Sequence, residues 1–389
     1  MLTSKFSITL LISLILFAGT LAIVPNCINL RIQRPVNFNV FMMAATGIYA
    51  FFKRDIFVGL LIIYTAFLSL QNIYITPQFY FSIFGLIVFY LYISAVELDR
   101  EIIYDALVVI AALNFIAQLF QFFGIADFMW QITGGETPGL MSNVNETSAL
   151  YAITAPAFFR RNRIGLIPVV IGGLVFAHSR QGVVALSVAV AVAAILNLKR
   201  QQLIVSLAGI LLCGILFHAF VKPFTVDGKR IAVWGTTLKA ASLKPIAGWG
   251  FGQYQVVIPS LTAKNMTPVQ RSMLYDSIRD KEAFQKLSTL ITKEDIRDEV
   301  FTQAHNEYVE MFFAMGIIGL LLGLIVLIDA LLDARLQQDK IPLYGLLSVI
   351  IVCLFSFSLH IFPLAIITVL YLALIHIQAE KIDAHSFNE

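Results

Sequence analysis

Apolar residues along this chain come in long unbroken runs separated by short polar connections, and only one polar passage is long. Runs near 6–24, 36–52, 55–70, 79–96, 102–123, 146–159, 164–178, 182–198, 202–221, 307–331, 342–359 and 361–378 approach the roughly 20 residues a helix needs to cross a bilayer. None alternates with period two, which argues against a barrel, and hydrocarbon demands segments that satisfy their own backbone. The pattern predicts an all-α polytopic membrane protein with about twelve transmembrane helices and one large, partly helical loop. The runs at 146–159 and 164–178 are short, so they extend into flanking residues, tilt little or stop short of crossing. Three parts follow: an N-terminal bundle over 1–221, a loop over 222–306, and C-terminal helices with a tail over 307–389.

The long polar passage, Val221 to Asn306, holds 12 Lys/Arg against 8 Asp/Glu. Thr267-Pro268-Val269-Gln270 reads as a helix start, with threonine as N-cap, proline in the first turn and glutamine reaching back. Met273, Leu274, Ile278, Phe284, Leu287 and Ile291 then recur near helical spacing, and Thr292-Lys293-Glu294-Asp295 reads as a second cap. Two amphipathic helices are expected here, lying over the bundle or on the membrane surface.

Composition agrees with the pattern: 59% of residues are hydrophobic and 13% charged, about half the charge of an ordinary soluble domain. Charge also sets direction. One set of alternate short connections carries Lys5, Lys53, Arg54, Arg100, Arg160, Arg161, Arg163, Lys199, Arg200, Arg335, Lys340 and Lys381, whereas the other carries Arg31, Arg34 and Arg180. By the positive-inside rule both termini are expected in the cytoplasm, with the 222–306 loop outside. Phe6 to Val24 behind Lys5 has no small-residue cleavage site after it and reads as an uncleaved first helix. Cys27, Cys213 and Cys353 show no pairing logic for a disulfide or metal site. No nucleic-acid partner is expected.

Candidate chemistry is sparse. No carboxylate cluster has metal-ligand spacing, and Glu136 and Glu146 are isolated, so neither metal nor cofactor is expected. Asp55, Asp105 and Asp329 lie near span ends, an arrangement unsuited to an ion relay. His218, His360 and His376 sit at or near span ends and read as packing or interfacial histidines. The connection Gly124 to Asn145, rich in glycine and proline around Thr133 to Gly139, suits a tight turn at a cavity mouth. In Ala177-His178-Ser179-Arg180-Gln181-Gly182 an arginine lies close to lipid, where it either snorkels to the interface or serves a site. Arg180, Arg230 and His305 are the positive candidates. A guanidinium holds phosphate oxygens bidentately at any physiological pH, and an imidazole accepts a proton near neutrality. That pairing suits glycosyl transfer from a lipid diphosphate, with arginine stabilising the departing charge.

The same segments carry a resemblance. His178-Ser179-Arg180-Gln181-Gly182, then Arg230-Ile231-Ala232-Val233-Trp234, then Lys244-Pro245-Ile246-Ala247-Gly248-Trp249-Gly250-Phe251-Gly252, and finally His305-Asn306-Glu307-Tyr308 with Met315-Gly316-Ile317-Ile318-Gly319 resemble, in order, motifs of the O-antigen ligase superfamily. Ser142-Asn143-Val144-Asn145 is similar to a looser element. The resemblance covers roughly 130–320 and implies a GT-C-like, metal-independent membrane glycosyltransferase of the bacterial inner membrane with a periplasmic loop. It implies transfer from an undecaprenyl-diphosphate-linked glycan donor to a lipid A-core sugar, a growing glycan or a protein. Carried over by motif, Arg180 and Arg230 would bind diphosphate and His305 would orient or deprotonate the acceptor. Asn306, Glu307, Trp234, Arg271, Asn145 and His178 are the expected substrate-binding neighbours. Many protein-glycosylating members have a further C-terminal region, and this sequence ends at Glu389, which favours a lipid A-core or glycan acceptor. A lipid-linked glycan transporter would share the apolar cavity and basic lining while making no bond.

Overall fold

A computed structural model describes residues 98–125, 137–296 and 301–386, except 142, 161, 222–227, 251, 302, 357–358 and 360–361, together with 86, 89–90 and 93–94. The expected spans at 6–24, 36–52 and 55–70, almost all of 79–96, residues 126–136, Cys27 and His360 lie outside the described residues. Twelve helices follow in the described part: α1 (Arg100–Phe122), α2 (Val144–Thr154), α3 (Ile167–Ala177), α4 (Arg180–Asn197), α5 (Arg200–Phe220), α6 (Gly228–Ser242), α7 (Tyr254–Thr262), α8 (Pro268–Asp276), α9 (Lys281–Leu290), α10 (Glu307–Leu336), α11 (Ile341–Phe355) and α12 (Phe362–Ser386). No strand occurs among the described residues. Four helices, α1, α4, α10 and α5 up to Ala219, are long and apolar enough to cross a membrane. The protein is therefore a helical membrane protein. The run at 146–159 is a short α2 that tightens into a 3-10 turn over Ala155–Phe159, and the run at 164–178 begins with a 3-10 turn before α3.

Helix α4 organises the bundle. It packs against α2 on one side and α11 on the other. Small residues allow that closeness: Ala185 and Ala189 are fully buried, and a Cβ on Gly182 would meet the Ser148 carbonyl oxygen at 2.4 Å. The Asn197 amide at the end of α4 donates to the Tyr344 hydroxyl at the start of α11. The two helices are thus antiparallel, and the first residue of α4 lies at the end of the bundle where α11 finishes. A continuous core of Tyr104, Tyr151, Phe158 and Tyr371 fills the space between α1, α2 and α12. Buried polar groups tie the 137–141 passage into it. Gln121 exchanges two hydrogen bonds with Gly139, and Asn114 accepts from the Leu140 amide while donating to the Tyr151 hydroxyl. By contrast, α5 is almost wholly exposed, as a helix facing lipid would be.

The opposite end of the bundle is held by charge. Arg163, almost completely buried, pairs with Asp105 at 2.6 Å and Glu101 at 2.9 Å. Arg100 and Arg160 both reach Asp339 on the α10–α11 connection, and the Tyr104 hydroxyl donates to the same carboxylate at 2.6 Å.

The polar passage departs from its expected form. Among its described residues it contains four helices, α6 to α9, rather than two, and the run from Met273 to Ile291 is broken between α8 and α9. The capping box at Thr267 forms as read, with Gln270 as its partner. A second cap sits at Asp280, whose carboxylate accepts the Ala283 amide at 2.9 Å, and there α9 starts. Thr292 caps only a 3-10 turn over Lys293–Asp295. Threonine followed three residues later by an acid satisfies the local hydrogen bonds of either structure, so the cap alone does not set helix length.

Candidate functional site

The corner between α3 and α4 is two residues long. His178 takes the left-handed conformation, φ 48°, and closes α3 through its N–H to the Val175 carbonyl at 3.1 Å; its side chain is exposed. Ser179 then precedes α4 but does not cap it, because its hydroxyl donates to the Asn145 side chain at 2.7 Å. Gln181 donates to the Asn145 carbonyl at 2.6 Å. Asn145, in the first turn of α2, therefore grips the residues on both sides of Arg180 and fixes where that half-buried guanidinium starts. The positive end of the α4 dipole adds to the same location.

Arg230 lies in the first turn of α6 and donates to the Phe355 carbonyl at 2.8 Å. Asn306 donates to the neighbouring Leu354 carbonyl at 3.0 Å while its oxygen caps α10 through the Val309 amide at 3.1 Å. Both side chains thus satisfy carbonyls at the terminus of α11, which otherwise have no partner within the helix. Glu307, also buried, accepts the Leu359 amide at 3.2 Å and lines a hollow of about 40 Å³ within the bundle. The end of α11 that collects Arg230 and Asn306 is the end at which α4 begins with Arg180, so all three belong to one end of the bundle.

His305 is the other non-glycine residue with positive φ among those described, at 54°. Such a conformation costs about 1–3 kcal/mol and needs support. The support comes from the preceding peptide. The Ala304 N–H donates to the Glu310 carboxylate at 2.9 Å, and the Ala304 carbonyl accepts from the Trp234 indole at 2.8 Å. Ala304 is completely buried, and the Phe301 ring meets the imidazole edge-on at 6.0 Å. Trp234 and Glu310 therefore hold the backbone that aims His305.

The rest of the loop is braced by a break in α10. Gly316 adopts φ 65° and ψ −166°, a conformation essentially reserved for glycine, and interrupts the helical hydrogen bonds. The segment around Trp249 replaces them. Trp249 and Gly250 amides donate to the Phe313 and Ala314 carbonyls at 2.8 and 2.9 Å, and the Ile317 amide donates to the Pro245 carbonyl at 2.7 Å. Trp249, almost fully buried, stacks on Phe313 with a 3° interplanar angle. A Cβ at Gly316 would lie 2.1 Å from the Ile246 carbonyl oxygen, and one at Gly248 would lie 2.5 Å from Ala314. Gly248 and Gly316 are required because two backbones touch there.

Outside this cluster the loop charges are mostly structural. Arg271 donates to the Ser260 and Ala263 carbonyls at 3.4 and 2.9 Å, which ties it to its own loop. Burial pushes the Asp295 carboxyl up, but Lys239, the Thr292 amide and Thr236 outweigh it and hold the group well below the usual carboxylate range. Lys244, 2.6 Å from Asp280, lowers that carboxyl too. Among the described residues one group has metal-ligand spacing: Asp329, Asp333 and His376, with ligand atoms within 4.8 Å. Asp329 lies roughly 30 Å along α10 from its first turn, far from His305.

Glu310, whose carboxylate holds the Ala304 amide before His305, is the neighbour that sequence reasoning missed; an acid one turn into a helix reads as ordinary dipole stabilisation. No curated protein matches the chain. Residues 166–324, which run from just before α3 past Arg180, Arg230 and His305 into α10, match the family model described as O-antigen ligase.

Proposed function

We propose that the protein is an inverting glycosyltransferase that moves a glycan from undecaprenyl diphosphate to an acceptor hydroxyl, with the lipid A-core sugar as acceptor. The observation that carries this reading is the gathering of Arg180, Arg230 and the clamped His305 at one end of the bundle, inside the matched domain. In this mechanism the acceptor hydroxyl gives its proton to the His305 imidazole as its oxygen attacks the anomeric carbon. The carbon–oxygen bond to diphosphate breaks from the opposite face, configuration inverts, and undecaprenyl diphosphate leaves with the electron pair. Two guanidinium groups stabilise that charge as it develops, so the leaving group needs no proton. The reaction belongs on the periplasmic face of the inner membrane, where the basic-residue asymmetry puts the loop.

The test incubates purified protein with an undecaprenyl-diphosphate glycan and lipid A-core. The expected result is release of undecaprenyl diphosphate only when acceptor is present, and a loss of about a hundredfold or more in His305→Ala at equal membrane abundance. Donor left unchanged with every acceptor, or wild-type turnover in that variant, overturns the proposal. Replacing lipid A-core by free polysaccharide ends or a protein acceptor distinguishes ligation from polymerisation and protein glycosylation.

A further inference from the structure

Two carboxylates share one face of α10: Asp333 follows Asp329 by one helical turn. Like charges so placed repel, and the repulsion grows beside lipid, where a charge is poorly solvated. Helix α12 packs against α10 and brings His376 to the pair, so that one ligand atom from each of the three side chains lies within 4.8 Å of the others. Donor atoms around a zinc-sized ion, each about 2.0–2.2 Å from it, stand roughly 3–4 Å apart, and small side-chain rotations close that difference.

The surroundings fix the imidazole. The Tyr90 hydroxyl bonds to His376 Nδ1, and the two rings meet edge to face with centroids 6.0 Å apart. When Nδ1–H donates to the Tyr90 oxygen, Nε2 carries the lone pair that an ion needs, the arrangement usual for a metal-ligating histidine. Gln337 follows Asp333 by one more turn and is almost completely buried; its Nε2 donates to the Ile375 carbonyl at 2.5 Å, next to His376. Its Oε1 is buried with no hydrogen-bond partner among the described residues, an acceptor that a water on the ion would satisfy. Two carboxylate oxygens and one imidazole nitrogen suit a first-row transition ion over Mg2+ or Ca2+, and two negative charges with one divalent cation sum to zero. We propose that Asp329, Asp333 and His376 hold a zinc-class divalent cation that clasps α10 to α12. The ion lies far from His305 and takes no part in the proposed transfer, on which this inference does not depend.

The experiment uses the untagged full-length protein in detergent, stripped with a chelator, loaded with Zn2+ and dialysed. Elemental analysis is expected to find about one retained zinc per chain, and saturating Zn2+ should raise Tm by a few degrees where Mg2+ does not. Zinc-edge X-ray absorption should show nitrogen and oxygen neighbours at about 2.0–2.2 Å. Asp333→Asn and His376→Gln should weaken zinc binding at least about tenfold and abolish the Tm shift. Tyr90→Phe should weaken it about tenfold through the lost bond to Nδ1, and His218→Gln should leave it unchanged. No zinc retained by the wild type, an equal Tm rise with Mg2+, or equal retention in Asp333→Asn and His376→Gln (an adventitious ion only) overturns the assignment. So does a sulfur neighbour at about 2.3 Å, which would move the ion to a cysteine. The absorption spectrum is read on the wild type, so the assignment stays testable where a variant fails to fold.

Discussion

Ala304 has no reactive group, yet its peptide is gripped at both ends, by Glu310 at the nitrogen and Trp234 at the oxygen. Its role explains why the neighbouring imidazole sits on strained backbone. Trp234→Phe keeps the ring and removes the donor, so kcat should fall about tenfold while KM for donor stays within about twofold, as expected for one lost hydrogen bond. Glu310→Ala should behave alike, and Glu310→Gln should recover most of the rate because an amide oxygen still accepts from the Ala304 N–H. Initial rates across donor concentration separate this from general unfolding, which would lower active-enzyme amount without rescue. Arg180→Lys has a different expected signature. A point charge cannot reproduce a planar fork, so donor KM should rise about tenfold even though net charge is unchanged. Arg180 and His305 could be put forward as candidates from sequence because their motifs are short and ordered along the chain. Glu310 was not, since its task exists only once His305 is left-handed, and no spacing announces a φ angle.

Helices of the membrane region were legible wherever length alone decides, as for α1, α4, α5 and α10. Within α10 the apolar run hides its most consequential feature. Gly316 reads as one more small residue in a span, but it is where the helix stops and restarts against the 244–250 segment. Gly316→Ala should cost roughly 3 kcal/mol or more, combining a forbidden backbone with a collision at Ile246, and transfer should be lost with it. Thermal unfolding in detergent checks the first part and turnover the second. Loop helices were less legible, because α6 and α7 take their places from contacts distant in sequence, both packing against α10 and bonded to each other through Thr237 and Tyr254. Asp295 ties α6 to the 3-10 turn through Lys239 and Thr236. Its carboxyl is held below the ordinary range, so this tie is fully present above about pH 4, the unfolded carboxylate value, and is lost as pH falls further toward the folded value. Hydrogen exchange over 228–242 should therefore quicken below about pH 4, and Asp295→Asn should show faster exchange at neutral pH with a flatter acid response.

At the scale of the molecule, chemistry and anchorage occupy opposite ends. The candidate site collects where α4 starts and α11 finishes, while Arg100, Arg160 and Arg163 lock α1, the α2–α3 connection and Asp339 together at the other end. Arg163→Ala should destabilise the fold by roughly 1–3 kcal/mol, since it strands partners that are partly exposed, and kcat per folded molecule should hold. Unfolding midpoints beside active-site-normalised rates test that separation. Its existence could not be read from Lys/Arg placement, which gives sidedness but says nothing of which acid each base meets.

The crossed backbone segments at Pro245–Gly250 and Phe313–Ile318 weld the polar passage, as a cap, to a membrane helix. A cap so welded cannot swing like a door, because several amides would be stranded at the same moment. On the proposed function, traffic must then pass through the wall: a bulky lipid-borne sugar slides in from the flank, and the spent carrier backs out along the same plane of the bilayer.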